Sequence, residues 1–280
     1  MKFVAYLTHG SRHLGALAPG GGVVDTGLAD LRQYLAYSAE QRARLDDLVA
    51  AASTFVEPDE LLAPVAERCQ VILTGGNYAN HLAEVSHLIA PKEPVFFPGL
   101  WSSVTGPGTD IRIPEQRTNT DWEAELAFVI SKRAFRVSAA DAWDYVFGYT
   151  MVNDVSARDV MARESLQIML CKSPDTFCPV GPHLITADEL GDIAGRRITT
   201  TVNGVLKQDA TTDQMIVKIP EILEFLTRSV TLEAGDLVTT GTPGGVGAFR
   251  TPPEFLKPGD EVTVEVEGVG ALTNQVVAGW

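Results

Sequence analysis

Short apolar runs separated by turn residues dominate the chain, and long helical periodicity is rare. KFVAYLT opens as a strand, LGALAP follows, and Gly20-Gly21-Gly22 turns the chain into VVDTG. Ser38 and Gln41 have capping-box spacing and predict a helix through about Ala52, with Leu45, Leu48 and Val49 on one face. Pro58 and Pro64 punctuate the stretch that follows, so a small α+β N-terminal domain is expected over residues 1–65. From Val71 onward VILTGG, EPVFFP, ELAFVI, YVFGYTMV, HLITA, ITTTVNG, DLVTTGTP and EVTVEVEG all read as strands between Gly/Pro turns. Helical patterns intervene only around Tyr78–Leu88, Ala139–Tyr145 (capped by Ser138) and Pro220–Arg228. This order does not fit strict β-α-β alternation and predicts a mostly-β, mixed-sheet domain over residues 66–280.

Composition narrows the function. Of 280 residues, 45% are hydrophobic and 21% charged, an ordinary globular balance. The net charge of -14 argues against nucleic acid or an anionic membrane as the main partner, because both require a basic surface. An acidic substrate would need a local cationic site against that field. No apolar stretch approaches the roughly 20 residues of a membrane span. MKFVAYLTHG, followed by Ser11, Arg12 and His13, lacks the core and cleavage site of a signal peptide. Cys69, Cys171 and Cys178 are too few and wrongly spaced for a disulfide framework or a zinc knuckle. Buried free thiols in a reducing, cytoplasmic setting are expected.

The strongest chemical signal is Asp121-Trp122-Glu123-Ala124-Glu125-Leu126-Ala127-Phe128. On a strand, Asp121, Glu123 and Glu125 share one face, and Trp122, Ala124, Leu126 and Phe128 share the other. A solvated acidic face is one reading. However, the acidic face continues into Ala127 and Val129, which puts the carboxylates at the mouth of a buried region, where they repel one another unless a cation or shared protons compensate. Asp154 follows an apolar strand; alone, Asn153-Asp154 would be a turn. If the three carboxylates converge, they suit a hard ion, Mg²⁺ or Mn²⁺; zinc is disfavoured because no His or Cys lies close by in sequence. His81 and Glu84 share a face of one helical turn, as a base and its orienter require and as a surface pair would also do. His9, His13, His87 and His183 have no comparable partner and are expected to be structural or superficial. Thr239–Gly247 is glycine-dense at a strand end, where backbone can approach a ligand. Arg158 and Lys172 are candidate cations for a substrate carboxylate.

In order, NYANH, GPGTDI, DWEAELAFVI, VFGYTMVNDVSARD, KSPDTFCPVGP, VNG, TLEAGDLVTTGTPGGVG, FLKPGD and GVGAL resemble the fumarylacetoacetate hydrolase family over about residues 71–278. The resemblance implies a mixed β-sheet roll and a homodimer. It places Mg²⁺ or Mn²⁺ on Glu123, Glu125 and Asp154, and a His81–Glu84 dyad on a mobile helical lid. It also puts Arg158, Lys172 and Thr242 in contact with a small-molecule substrate bearing a 1,3-dicarbonyl or 2-oxo acid group. The function expected first is hydrolysis of a carbon–carbon bond in an acylpyruvate or related β-diketone. In that reaction His81 and Glu84 activate water, and the metal and Lys172 stabilise the enolate. The alternative on the same metal site is a 2-oxo acid decarboxylase, isomerase or hydratase acting on oxaloacetate-like or 2-hydroxydienoate substrates. Two departures bear on the pocket. Many relatives have a lysine where this chain has Gly99, and some acylpyruvate-cleaving relatives have a glutamine where it has Met161. Both changes predict a more apolar pocket and an apolar or bulky acyl group.

Overall fold

The structure, a computed structural model, describes residues 1–84, 93–161 and 167–280. It is a mixed α+β fold built on one large sheet and one smaller one. Across the eleven-stranded sheet the main path runs Val23–Leu28, Ser11–Leu17, Lys2–Thr8, Cys178–Thr186, Val146–Asn153, Ala124–Ile130, Leu237–Thr239, Val71–Gly75 and Val95–Gly99. Neighbours on this path are antiparallel except Leu237–Thr239 against Val71–Gly75. The five-stranded sheet orders Val205–Thr211, Arg197–Val202, Glu261–Val266, Gly270–Ala278 and Ile111–Ile113.

The central strand Ala124–Ile130 shows how pattern becomes architecture. Every residue in it is buried, the signature of a strand covered on both faces. Its alternation divides two cores. Ala124, Leu126, Phe128 and Ile130 join Ile198, Val264 and Leu272 of the smaller sheet, together with Ile222 and Leu223 of the helix Ile219–Thr227. Ala127 and Val129 join Phe3, Leu14, Leu31, Leu184 and Leu237 on the other face. Residues 1–65 cover that second face. Their first strand pairs with Cys178–Thr186, setting Phe3 opposite Leu184, so hydrogen bonds run unbroken from this segment into the sheet that carries the site.

Local signals act where the sequence places them. Ser38 and Gln41 form a reciprocal capping box on the helix Ala39–Ala50. Ser138 caps Ala139–Tyr145, which is a 3-10 rather than an α-helix. The helix expected over Tyr78–Leu88 is present as Ala79–Glu84, and its later part, with His87, lies outside the described residues. Cys69, Cys171 and Cys178 are free and buried. Among the described residues no helix is long and apolar enough to cross a membrane.

Candidate active site

The acidic run is interrupted rather than continuous. Thr120–Asp121 pairs with Ser156–Ala157, and the main ladder resumes at Ala124 opposite Asn153. At the interruption the Asn153 carboxamide oxygen accepts the Glu123 N–H at 3.1 Å, and the Asp154 N–H donates to the Glu123 carbonyl at 2.9 Å. These two bonds turn Glu123 toward Glu125 and Asp154. One oxygen of each of the three carboxylates lies within 4.8 Å of the others. Relative exposures of 5% for Glu123, 1% for Glu125 and 0% for Asp154 rule out a solvated acidic face.

Two cations enter the cluster. Lys172 ends the short helix Ile168–Lys172, and its Nζ lies 2.6 Å from Glu123 Oε2 and 2.6 Å from Asp154 Oδ2. Arg158 donates through Nη2 to Glu123 Oε1 and through Nε to Asp121 Oδ1, the latter at 2.8 Å. Burial pushes every carboxyl here upward, and the cations decide the outcome. Against burial, Lys172 and Arg158 together hold Glu123 down at about 2. Burial raises Asp154 to about 7, because Lys172 opposes it only in part and Glu123 adds to it. Glu125 sits well above the ordinary range, raised by burial first and then by Asp154 and Glu123. The lysine moves the other way: Asp154 and Glu123 overcome its own burial and raise it.

The cluster fits a divalent cation. Asp121, Glu123, Glu125 and Asp154 are buried against Lys172 and Arg158, leaving two formal negative charges without a partner when all four are ionised. Asp154 Oδ1 is buried and has no hydrogen-bond partner among the described residues. A donor set of carboxylate oxygens alone suits hard ions of the Mg²⁺ and Mn²⁺ type.

The helix Ala79–Glu84 stands beside this centre, docked on the glycine loop. His81 Nδ1 lies 3.3 Å from Glu84 Oε2, and Glu84 Oε1 accepts the Gly245 N–H at 2.6 Å. Asn80 accepts the Gly244 N–H at 3.2 Å. Glycine is required at position 245: its φ is +104°, and a Cβ there would lie 2.2 Å from the Lys207 carbonyl oxygen. The helix root is pinned by buried Asn77, which donates to the carbonyls of Val217 (2.9 Å) and Thr240 (2.8 Å).

Thr242 lies on the same loop and donates to the Ala124 carbonyl at 3.0 Å. Its hydroxyl accepts from Gln208 Nε2 at 2.8 Å, while Gln208 Oε1 accepts the Ala124 N–H at 2.9 Å and the Thr200 hydroxyl at 2.6 Å. One buried carboxamide therefore ties the strand of the two glutamates to the glycine loop. Sequence reading does not find this role for Gln208, or that of Asn153. The available signal is that Gln208 occupies an inward position alternating with Ala210, and it acquires meaning only once Thr200 is known to lie opposite. Met161 Sδ lies 4.0 Å from Arg158 Nη1. At Gly99 a Cβ would stand 2.9 Å from Val71 Cγ1, so a larger residue would have to displace a core side chain. His13 stacks on Tyr6, and His183 is half-buried.

Sheet order, acidic centre and glycine loop together define a known class. Residues 70–277 match the sequence model of the fumarylacetoacetate hydrolase C-terminal domain, and the chain belongs to that family of enzymes. Over 218 residues it is 46% identical to a mitochondrial oxaloacetate tautomerase of Xenopus laevis, a match covering 78% of this chain and 68% of that one. Oxaloacetate tautomerase YisK of Bacillus subtilis is 41% identical over 220 residues, covering 78% of this chain and 73% of its own. The solved structure of a fumarylacetoacetate hydrolase from Exiguobacterium antarcticum superposes with a TM-score of 0.85 at 35% identity, covering 99% of each chain.

Proposed function

We propose that this protein is a divalent-metal-dependent tautomerase of oxaloacetate or a closely similar 2-oxo acid, interconverting its enol and keto forms. The observation that carries the proposal is the buried Glu123–Glu125–Asp154 cluster, with more carboxyls than cations, beside an oriented His81–Glu84 pair. The names of the two tautomerase relatives support this reaction, an isomerisation of the kind expected second from the sequence, over hydrolysis, which was expected first. The choice is chemically economical, because enol–keto exchange moves one proton from oxygen to C3 and needs no attacking water.

Glu123, Glu125 and Asp154 would hold Mg²⁺ or Mn²⁺, which when bound withdraws charge from the 2-oxo oxygen. His81 exchanges the proton at C3. Glu84 orients the imidazole through Nδ1 and is itself held by the Gly245 N–H, so the base has a fixed direction. Lys172 balances charge developing on the enol oxygen, Arg158 takes a substrate carboxylate, and Thr242 on the glycine loop is a further substrate contact. Oxaloacetate is a dicarboxylate, so this reading sets aside the expectation of an apolar acyl group. Met161 removes a polar neighbour from Arg158 but leaves the guanidinium in place.

A second reading, carbon–carbon bond hydrolysis of an acylpyruvate, is favoured by the superposition on a fumarylacetoacetate hydrolase. The decisive assay follows enol-oxaloacetate absorbance with Mg²⁺ or Mn²⁺ beside acylpyruvate cleavage. We expect accelerated ketonisation, reduced at least about 100-fold in His81→Ala, the lower end of what a positioned base contributes. Acylpyruvate cleavage without ketonisation would replace this reading by the second.

We also propose a homodimer. Its support is the outer edge of the strand Val95–Gly99, which has no further strand among the described residues and is flanked by exposed Val95, Leu100, Met169 and Leu170. Sedimentation velocity would read the assembly directly.

A further inference from the structure

Asp121 is a buried carboxylate for which the proposed chemistry has no use. It is fully enclosed and stands outside the group of potential metal ligands. Both of its oxygens are engaged: Oδ1 accepts Arg158 Nε–H at 2.8 Å, and Oδ2 accepts the Ala248 N–H at 2.7 Å. Because Arg158 also donates through Nη2 to Glu123, its guanidinium is pinned at two points along one edge. Two such contacts fix the plane of a rigid, planar group.

What remains is Nη1. Among the described residues its neighbour is the Met161 thioether at 4.0 Å, a weak acceptor that leaves the donors free for an anion. The guanidinium carbon lies 5.7 Å from the Phe249 ring centroid, and that ring is 5.8 Å from the His81 imidazole. Phe249 belongs to the turn Gly247–Phe249, which includes the Ala248 N–H that Asp121 holds. The turn is pressed close, since a Cβ at Gly247 would stand 2.8 Å from Asp121 Cβ. One carboxylate thus fixes the cation and the aromatic wall beside it.

We propose that Asp121 is a positioning residue that pins Arg158 so that its Nη1 edge, between Met161 and Phe249, faces the carboxylate of the bound 2-oxo acid. This rests on the reading that a 2-oxo acid binds at this centre. Asp121 acts only through the guanidinium and the turn, so it governs anion affinity and not the proton exchange at His81.

Oxalate, a planar dianion that cannot turn over, is the probe. Calorimetry on the Mn²⁺-loaded protein compares wild type, Asp121→Asn, Arg158→Lys and the double variant. In Asp121→Asn, oxalate affinity should fall by about tenfold to a hundredfold, the scale of a charge-assisted hydrogen bond. KM for oxaloacetate should rise in parallel while kcat stays nearly constant. Arg158→Lys keeps the charge but cannot span Asp121 and Glu123, and should show the same loss. Adding Asp121→Asn to it should cost less than about twofold more, because the two residues form one unit. Additive losses, or unchanged oxalate affinity in Asp121→Asn, would overturn the proposal. Wild-type affinity in Arg158→Lys would also overturn it, whether or not Asp121→Asn folds. A wild type that binds oxalate, with the expected variant losses, yet fails to ketonise oxaloacetate leaves the positioning role standing and removes the tautomerase reading. Normal ketonisation with undiminished oxalate binding in Asp121→Asn removes the positioning role alone.

Discussion

Glu123 and Asp154 contact the same ammonium at 2.6 Å, yet they are displaced in opposite directions from the ordinary carboxylate range. The difference is Arg158, which reaches Glu123 and not Asp154, so a second cation overcomes burial at one carboxylate only. Glu125 has neither cation in contact, and burial with Asp154 and Glu123 nearby raises it well above the ordinary range. Replacing it by Gln keeps its shape and its acceptance of the Gly241 N–H at 3.1 Å but removes a charged ligand. We expect Mn²⁺ affinity in Glu125→Gln to fall at least about tenfold, the weakening typical of disturbed metal coordination. Unchanged affinity by calorimetry would strike Glu125 from the ligand set. His183 offers a pH-dependent test away from the centre. Burial, assisted by Lys2, lowers its pKa from the ordinary 6.5 to about 4. The folded pKa is depressed, so the neutral ring's contribution is full above 6.5 and is lost as pH falls toward 4, where the unfolded chain takes the proton first. Allowing for partial exposure, we expect wild type to lose about 1–2 kcal/mol more than His183→Gln between pH 7.5 and pH 5 in urea titrations. Parallel losses in the two proteins would refute this.

At the level of elements, the strand Ala124–Ile130 is the wall between two cores, and the N-terminal strands close one of them. Phe3 is fully buried there, its ring 4.5 Å from Tyr34 and 6.0 Å from Phe147. Phe3→Ala should cost about 3–5 kcal/mol, the range for deleting a buried aromatic ring. Because residues 1–65 share a sheet with the site, that loss should appear in one transition reported equally by far-UV circular dichroism and tryptophan fluorescence. Trp122 is a buried reporter beside the site, donating to the Gly245 carbonyl at 3.1 Å. A fluorescence midpoint unchanged while part of the helix signal melts early would mean that the N-terminal elements unfold by themselves.

The whole molecule carries a net charge of -14 and gathers four buried carboxylates, Asp121, Glu123, Glu125 and Asp154, at one centre. Such a site favours a cation both locally and through the surrounding field. A metal that binds only the folded state stabilises it by mass action, about 2.7 kcal/mol at a hundredfold excess over Kd. For a chain of this size that corresponds to a rise in Tm of roughly 5 °C. EDTA should abolish the rise, and Glu125→Gln should show no more than about half of it at the same Mn²⁺ concentration. Equal melting with Mn²⁺ and with EDTA would argue against a resident divalent ion.

Apolar runs bounded by Gly/Pro turns specified most strands, because short β-rich apolar segments between chain reversals are a local signal. The Ser38–Gln41 capping box set its helix start for a similarly local reason. The oxygen-only donor set and the i, i+3 spacing of His81 and Glu84 were likewise readable along the chain. Pairing across long separations was not. Asp121 meets Arg158, Glu123 meets Lys172 and Ala124 meets Gln208 only after strand register and burial have placed them, and no local propensity encodes those distances. The interruption of the ladder at Trp122 and Glu123 is of the same kind: a continuous strand would satisfy the local pattern equally well, but only the Asn153 carboxamide and the neighbouring Asp154 N–H make the bend favourable. The grouping of His81, Arg158 and Phe249 beside the three carboxylates lies further still from local pattern, because separate segments meet there only when the fold is complete.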